Sequence, residues 1–145
     1  MAITNSVDRL QRQTDWLLNH PFHRFAGLEL VFQEPGRAWC RFTVEENAIN
    51  PSGMLHAGLL YGYMDTTAYF SVLPMLEEGE QAATIDLHAS IIRAAPLGAS
   101  IGLRAEVIRR GATVAFVRCE AHGVEDGMGL IASATVTTAI TKPRI

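Results

Sequence analysis

The sequence predicts an α+β protein in which a mainly antiparallel β-sheet is wrapped around one long buried helix. Three observations predict it. Residues 56–73 form a segment that is apolar nearly all round, too uniformly for a surface helix, so it must be covered on most sides. Two segments with period-two alternation precede it and four follow, as expected for strands with one face buried. Turn residues separate those segments, and no second helix interrupts the last four, which fits a sheet of hairpins better than parallel crossovers.

The elements follow in chain order. Asn5 or Ser6 is placed to cap a short amphipathic helix running to about Asn19, with Val7, Leu10, Trp16 and Leu17 as its apolar positions. His20-Pro21-Phe22 breaks it. Residues 28–32 and 37–44 read as two strands around the turn Glu34-Pro35-Gly36. In the second, Ala38, Cys40, Phe42 and Val44 share one face. A polar loop over 45–53 leads to the central helix, which Pro74 ends. After a charged loop over 77–81, strands are expected over 84–93, 99–110, 113–122 and 130–140. Ile85, Leu87, Ala89 and Ile91 are assigned to one face of the first, and Ile101, Leu103, Ala105 and Val107 to one face of the second. The turns are Pro96-Leu97-Gly98, Arg110-Gly111 and Asp126-Gly127. Nothing resembles a linker or a repeat, so residues 1–145 are read as one domain, with about 1–20 as an N-terminal helical extension.

Composition excludes several classes. With 48% hydrophobic and 19% charged residues, the chain has the make-up of a globular protein, not a disordered one. A formal net charge of −3 gives no pull toward nucleic acid, so an anionic ligand needs a local basic patch. Cys40 and Cys119 lie in apolar alternating segments outside any CxxC pair. They read as buried thiols in a reducing compartment, and the N-terminal sequence has no apolar signal core, so a cytoplasmic location is expected. Residues 57–76 approach membrane length but contain Asp65, whose insertion costs roughly 2.5–3.5 kcal/mol, so a membrane span is not expected. Asp86 and His88 alternate on one strand without a third ligand, and His20, His23 and His122 are scattered, so no metal is expected.

Chemistry concentrates around the central helix. Asp65 is the only side chain between Ala57 and Leu76 that is charged at neutral pH. A carboxylate in such a setting needs partners or a task, and the sequence leaves open whether that task is catalysis or capping a nearby donor. The run Asn50-Pro51-Ser52-Gly53-Met54-Leu55-His56-Ala57-Gly58 leads into the helix. Free amides at a helix start favour negative charge, so the N–H groups of Ala57 and Gly58 are candidates for holding the oxyanion formed when a carbonyl is attacked. His56 either donates to that carbonyl or caps the helix. Asn50 either steers a water or the carboxylate, or serves the turn before Pro51. Gly58 and Gly62 lie near the helical face of Asp65, and each costs about 1 kcal/mol relative to Ala, which the close approach of another backbone or a ligand would account for. Tyr61, Tyr63, Tyr69 and Phe70 line a pocket or fill the core.

The pattern Asn50, Gly53, His56-Ala57-Gly58, Asp65 resembles the hotdog-fold thioesterase superfamily, and most of all its phenylacetate-pathway (PaaI-like) acyl-CoA thioesterases. Those proteins carry an HGG triplet at the helix start and an acid nine positions after the His. Thr84-Ile85-Asp86-Leu87 with Ile91-Ile92-Arg93 resembles the family's next strand, and the likeness extends over roughly residues 26–141. It implies a hotdog fold and hydrolysis of an acyl-CoA without a cofactor, coenzyme A being part of the substrate. It also implies Asp65 as general base or nucleophile, the Ala57 amide as oxyanion donor, and His56 and Asn50 as binding or orienting groups. Thr84 would support Asp65 or the water. Coenzyme A phosphates call for cations, for which Arg93, Arg109 and Arg110 are the candidates. Ala57 departs from the family pattern, standing where the middle Gly of the triplet is expected.

A helix rises 1.5 Å per residue, so positions 57 and 65 are about 12 Å apart along its axis. One carbonyl carbon cannot meet both within one chain. Either one of them is not catalytic or the site is shared across a dimer; the resemblance implies the second, as a homodimer or a dimer of dimers. Two other classes compete on the same fold: a hydratase or dehydratase, and a non-catalytic acyl-CoA-binding protein. The first pairs a His with an acid beside the thioester, whereas His56 stands at the opposite end of the helix stretch from Asp65. The intact Asp65 argues against the second.

Overall fold

A computed structural model describes residues 2–125 and 127–143, with side chains from Ser6 onward. Helix α1 is Ala2–Leu18, α2 is Pro21–Phe25 and α3 is Ala57–Val72; single 3-10 turns lie before α3 at Glu46–Ala48 and directly after it at Leu73–Met75. Strands are β1 Glu29–Glu34, β2 Arg37–Thr43, β3 Gln81–Ile91, β4 Ser100–Arg110, β5 Val114–Gly123 and β6 Leu130–Thr141. They form one antiparallel sheet in the order β1-β2-β4-β5-β6-β3. The expected α+β layout, a six-stranded sheet around a central helix, is therefore what the chain adopts, and it is the hotdog fold.

The pattern of α3 explains its place. Leu60, Tyr63, Met64, Thr67, Ala68, Phe70 and Ser71 are all fully covered. The inward residues of the strands meet them: Ala38, Cys40, Phe42, Ile101, Leu103, Ala105, Val117 and Val136. Tyr63 and Phe70 are thus core residues, while Tyr61 and Tyr69 are half-buried. Both cysteines are free and buried, and burial pushes the Cys40 thiol up to about 12 and the Cys119 thiol higher still, as for inert core groups.

Three expectations need correction. The N-terminal helix begins at Ala2, ahead of the cap placed at Asn5 or Ser6, because the preceding positions are also compatible with helix. Pro21 does not simply end a helix. It is the first residue of α2, where its missing N–H costs nothing, and His20 caps that helix by accepting from the Phe22 N–H. Ile85 is not in the core. A bulge between Thr84 and Asp86 gives β3 one extra residue against Thr138 and Thr137 of β6, and Ile85 is 57% exposed. Of the turn read at Asp126-Gly127, Asp126 lies outside the described residues, and Gly127 has the positive φ such a turn requires.

One edge of the sheet is β1 and the other is β3, which pairs on one side only, with β6. The second edge is unusual for its length, eleven residues, and for the exposed Ile85, Ile91 and Ile92 along it. No helix among the described residues is long and apolar enough to cross a membrane.

Candidate active site

The site is built where the middle of α3 meets the bulge of β3. The Thr84 hydroxyl donates to Asp65 Oδ1 at 2.6 Å. The bulge makes this possible. Thr84 pairs with Thr138, which is 1% exposed and faces the core, while Leu87 pairs with Val136, which also faces inward. Strict alternation cannot turn both 84 and 87 to one side; the extra residue at 85 does. Asp65 itself is half-buried, so its second carboxylate oxygen is within reach of solvent or substrate.

Thr66, next to Asp65, is held in turn. Its hydroxyl donates to the Gly62 carbonyl and lies 2.9 Å from His23 Nε2, while His23 Nδ1 lies 2.6 Å from the Leu17 carbonyl. A carbonyl only accepts, so Nδ1 carries a proton. The Tyr63 hydroxyl, fully buried, donates toward the carbonyl oxygens of Phe22 and His23 and accepts from the Ala26 N–H. Helices α1 and α2 are thus tied to the stretch of α3 that carries Asp65.

At the helix start, His56 is the N-cap: its Nδ1 accepts the Gly58 N–H at 2.9 Å. That fixes the proton of the neutral ring on Nε2, which points from an exposed residue. It also corrects the view of Gly58 as an oxyanion donor, because its amide already has an acceptor. The Ala57 N–H has none among the described residues, nor has that of Leu59, so the first amide of the helix is open to an anion. Asn50 serves the loop: its Oδ1 accepts from Ser52 N and Met54 N at 2.9 and 3.1 Å, and Gly53 closes the turn at φ +78°. Asn50 does not reach Asp65; it shapes the approach to the helix.

The three arginines do not form one patch. Arg110 forms an ion pair with Glu80 and donates to the Gly111 carbonyl, and its side chain is only 18% exposed. This is a correction: Arg110 is occupied within the chain and is a poor phosphate ligand. Arg93 is exposed and donates to the Gly127 carbonyl at 2.9 Å, while Arg109 is exposed with no partner among the described residues. Arg109 stands level with Phe116 and Thr137, whereas Arg93 is hydrogen-bonded beside Ile131. Six residues of β6 separate those levels, about 20 Å at 3.3 Å per residue, so the two cannot grip one phosphate from a single chain.

The helix glycines are crowded from within the chain. A Cβ on Gly62 would lie 2.5 Å from Phe22 Cζ, and one on Gly58 would lie 3.1 Å from the His56 ring. Rings of the same chain crowd both positions: a side chain at 62 would displace Phe22, and one at 58 would press the His56 ring by a few tenths of an ångström. The place of Phe22 on Gly62 is not legible in His20-Pro21-Phe22, which reads only as a helix stop; the mid-helix Gly62 is the signal that something large lies on it. Among the described residues no group of three or more His, Cys, Asp or Glu is placed to hold a metal, and Asp86 and His88 stand 3.9 Å apart on the edge strand.

The thioesterase superfamily model matches residues 52–129, just over half of the chain, and spans both the helix start and the Asp65–Thr84 pair. Human acyl-coenzyme A thioesterase 13 is 33% identical over 96 residues, 66% of this chain and 68% of the relative. The crystal structure of zebra fish thioesterase superfamily member 2 matches with a TM-score of 0.79 at 26% identity, covering 87% of this chain and 91% of that one. The phenylacetic acid degradation protein PaaI of Thermus thermophilus shares the fold, with a TM-score of 0.75 at 23% identity over 82% of this chain and 97% of that one. By its matched segment and its fold, the chain belongs to the thioesterase superfamily.

Proposed function

We propose that the protein hydrolyses an acyl-CoA thioester to the free acid and coenzyme A, with the work divided between two chains. The observation that carries this reading is the 2.6 Å bond from Thr84 to Asp65, which orients a half-exposed carboxylate in the middle of the buried helix. In the simplest route Asp65 takes a proton from water as that water attacks the carbonyl carbon. The tetrahedral oxyanion is held by an amide at a helix start, and on collapse the sulfur leaves and takes the proton from Asp65. Direct attack by the carboxylate uses the same residues: the C–S bond breaks, the coenzyme A thiolate leaves an anhydride, and water opens it to the acid and free Asp65, the released proton going to the thiolate.

The free β3 edge supports the cross-chain arrangement. In each chain the start of α3 is tied to the far end of β3: Leu55 N–H donates to the Ala95 carbonyl, just beyond Ile92 and Arg93, which bond to Ile131. In this reading two β3 edges pair antiparallel in the register that sets that end of one chain level with Thr84 of the other. The partner subunit's Ala57 amide then faces Asp65 across the seam, and the partner subunit's Arg93 stands at the same level, ready for a phosphate. His56, with Nε2–H free, is placed to bind the carbonyl or the pantetheine from the same side. Such pairing would also cover Ile85, Ile91 and Ile92. The obligate unit in this reading is a homodimer in the soluble compartment of the cell, open to further pairing into a tetramer.

Release of free coenzyme A from a panel of short, medium and aryl acyl-CoAs tests the reading. Steady release with at least one member supports it. Tight binding without release would make the protein an acyl-CoA-binding module, and hydration of an unsaturated acyl-CoA without release would make it a hydratase.

A further inference from the structure

We infer that Phe22 is the wall that sets the size of the acyl group; the inference rests on the acyl-CoA hydrolysis proposed above. The tip of the Phe22 ring lies on Gly62, where an added Cβ would come within 2.5 Å of Cζ. Gly62 is three residues before Asp65 on α3, and Cβ positions so spaced on a helix are about 5–6 Å apart. The tip of the ring therefore lies one helical turn from the position of Asp65 on α3.

The way Phe22 is held sets it apart from ordinary packing. Its short helix is pinned from below by fully buried groups. The Tyr63 hydroxyl bonds the Phe22 and His23 carbonyls and the Ala26 amide, and the His23 ring spans Leu17 and Thr66. Phe22 also meets Tyr63 edge-on with ring centroids 5.3 Å apart. Despite this rigid mounting the ring is 42% exposed. A core aromatic is covered, and a surface aromatic is free to move; this one is held and open, one helical turn before the acid, over a glycine that the helix otherwise disfavours. An apolar acyl chain whose carbonyl sits at Asp65 finds the exposed face of Phe22 as the adjacent apolar surface. The cations that suit the coenzyme A phosphates lie elsewhere, at the sheet ends. Bulk at Phe22 then limits what fits, as pocket methylenes do in other enzymes, by roughly 10–200-fold per group.

The test compares kcat/KM for acetyl-, hexanoyl-, decanoyl- and phenylacetyl-CoA in the wild-type protein and in Phe22→Ala, Phe22→Leu and Phe22→Trp. The wall predicts a change in ranking: Phe22→Ala shifts the ratio of the bulkier to the smaller acyl groups upward by at least about tenfold, Phe22→Leu by less, and Phe22→Trp in the opposite direction. Product inhibition by free coenzyme A stays as in wild type, because its contacts are untouched. If Phe22→Ala does not fold, the Leu and Trp variants carry the comparison. A uniform loss across all four substrates, or unchanged ratios in the folded variants, overturns the wall and leaves hydrolysis standing. A wild-type protein that releases no coenzyme A from any substrate overturns the hydrolysis itself, and the wall with it.

Discussion

Thr84 donates a 2.6 Å hydrogen bond to Asp65 from a strand that must bulge to bring it there. The bulge turns Thr84 inward and casts Ile85 out to the free sheet edge, so one extra residue both orients the acid and lays an apolar side chain along the seam proposed for the dimer.

If that bond positions the base, its two ends should differ in a graded way. Asp65→Asn is expected to lower kcat by at least ~10², the scale of general-base loss. Thr84→Val should lower it by about tenfold or more, since a hydrogen bond to a charged group is worth roughly 1.5–3 kcal/mol. Thr84→Ser should restore most of the rate. Turnover measured on variants with unchanged circular dichroism decides this. A folded Asp65→Asn protein with wild-type kcat would remove Asp65 from the mechanism.

The cross-chain site is open to a mixing experiment. Asp65→Asn kills one half of a site and Ala57→Pro the other, since Pro removes the amide yet is tolerated in the first helical turn. Unfolded together and refolded, half of the dimers are mixed, and each mixed dimer has one intact site. Roughly a quarter of wild-type activity should return. Mixed dimers that are present, folded and inactive would confine the site to one chain.

The arginines should separate by role. Arg93→Ala and Arg109→Ala are expected to raise KM several-fold with little change in kcat, an effect that fades in high salt because exposed charges are screened. Arg110→Ala should instead leave KM unchanged and lower the melting temperature, since Arg110 is spent on Glu80. A KM effect confined to Arg110→Ala would reverse this assignment.

The same ion pair predicts a pH dependence. The backbone N–H of Glu77, and then the Arg110 guanidinium, hold the Glu80 carboxyl below the usual carboxylate range. A carboxyl depressed in the folded state adds stability above its unfolded pKa, ~4.3, and loses it as the pH falls through the lower folded value. The melting temperature of Glu80→Gln should therefore lie below wild type at neutral pH, with the gap closing in acid. A gap that is constant from pH 7 to 3 would show that the charge of Glu80 is not what matters.

What the sequence by itself determined about this protein is whatever rests on local periodicity. The all-round apolar run fixed a buried α3, since a helix with no polar face has to be wrapped. Period-two alternation fixed the inward faces of β2 and β4, where Ala38, Cys40, Phe42, Ile101, Leu103 and Ala105 are all buried. Asp65 stood out because one charge in such a run is costly, and the 12 Å between 57 and 65 followed from helix rise alone. The tertiary structure decided everything that depends on which elements meet. Bulges break the alternation that pattern reading relies on, so the inward turn of Thr84 and the exposure of Ile85 emerged only from pairing with β6. Charges far apart in sequence choose partners in space, so Arg110 went to Glu80. Packing set Phe22 on Gly62, because a contact between residues forty positions apart leaves in the sequence only a glycine where alanine would do.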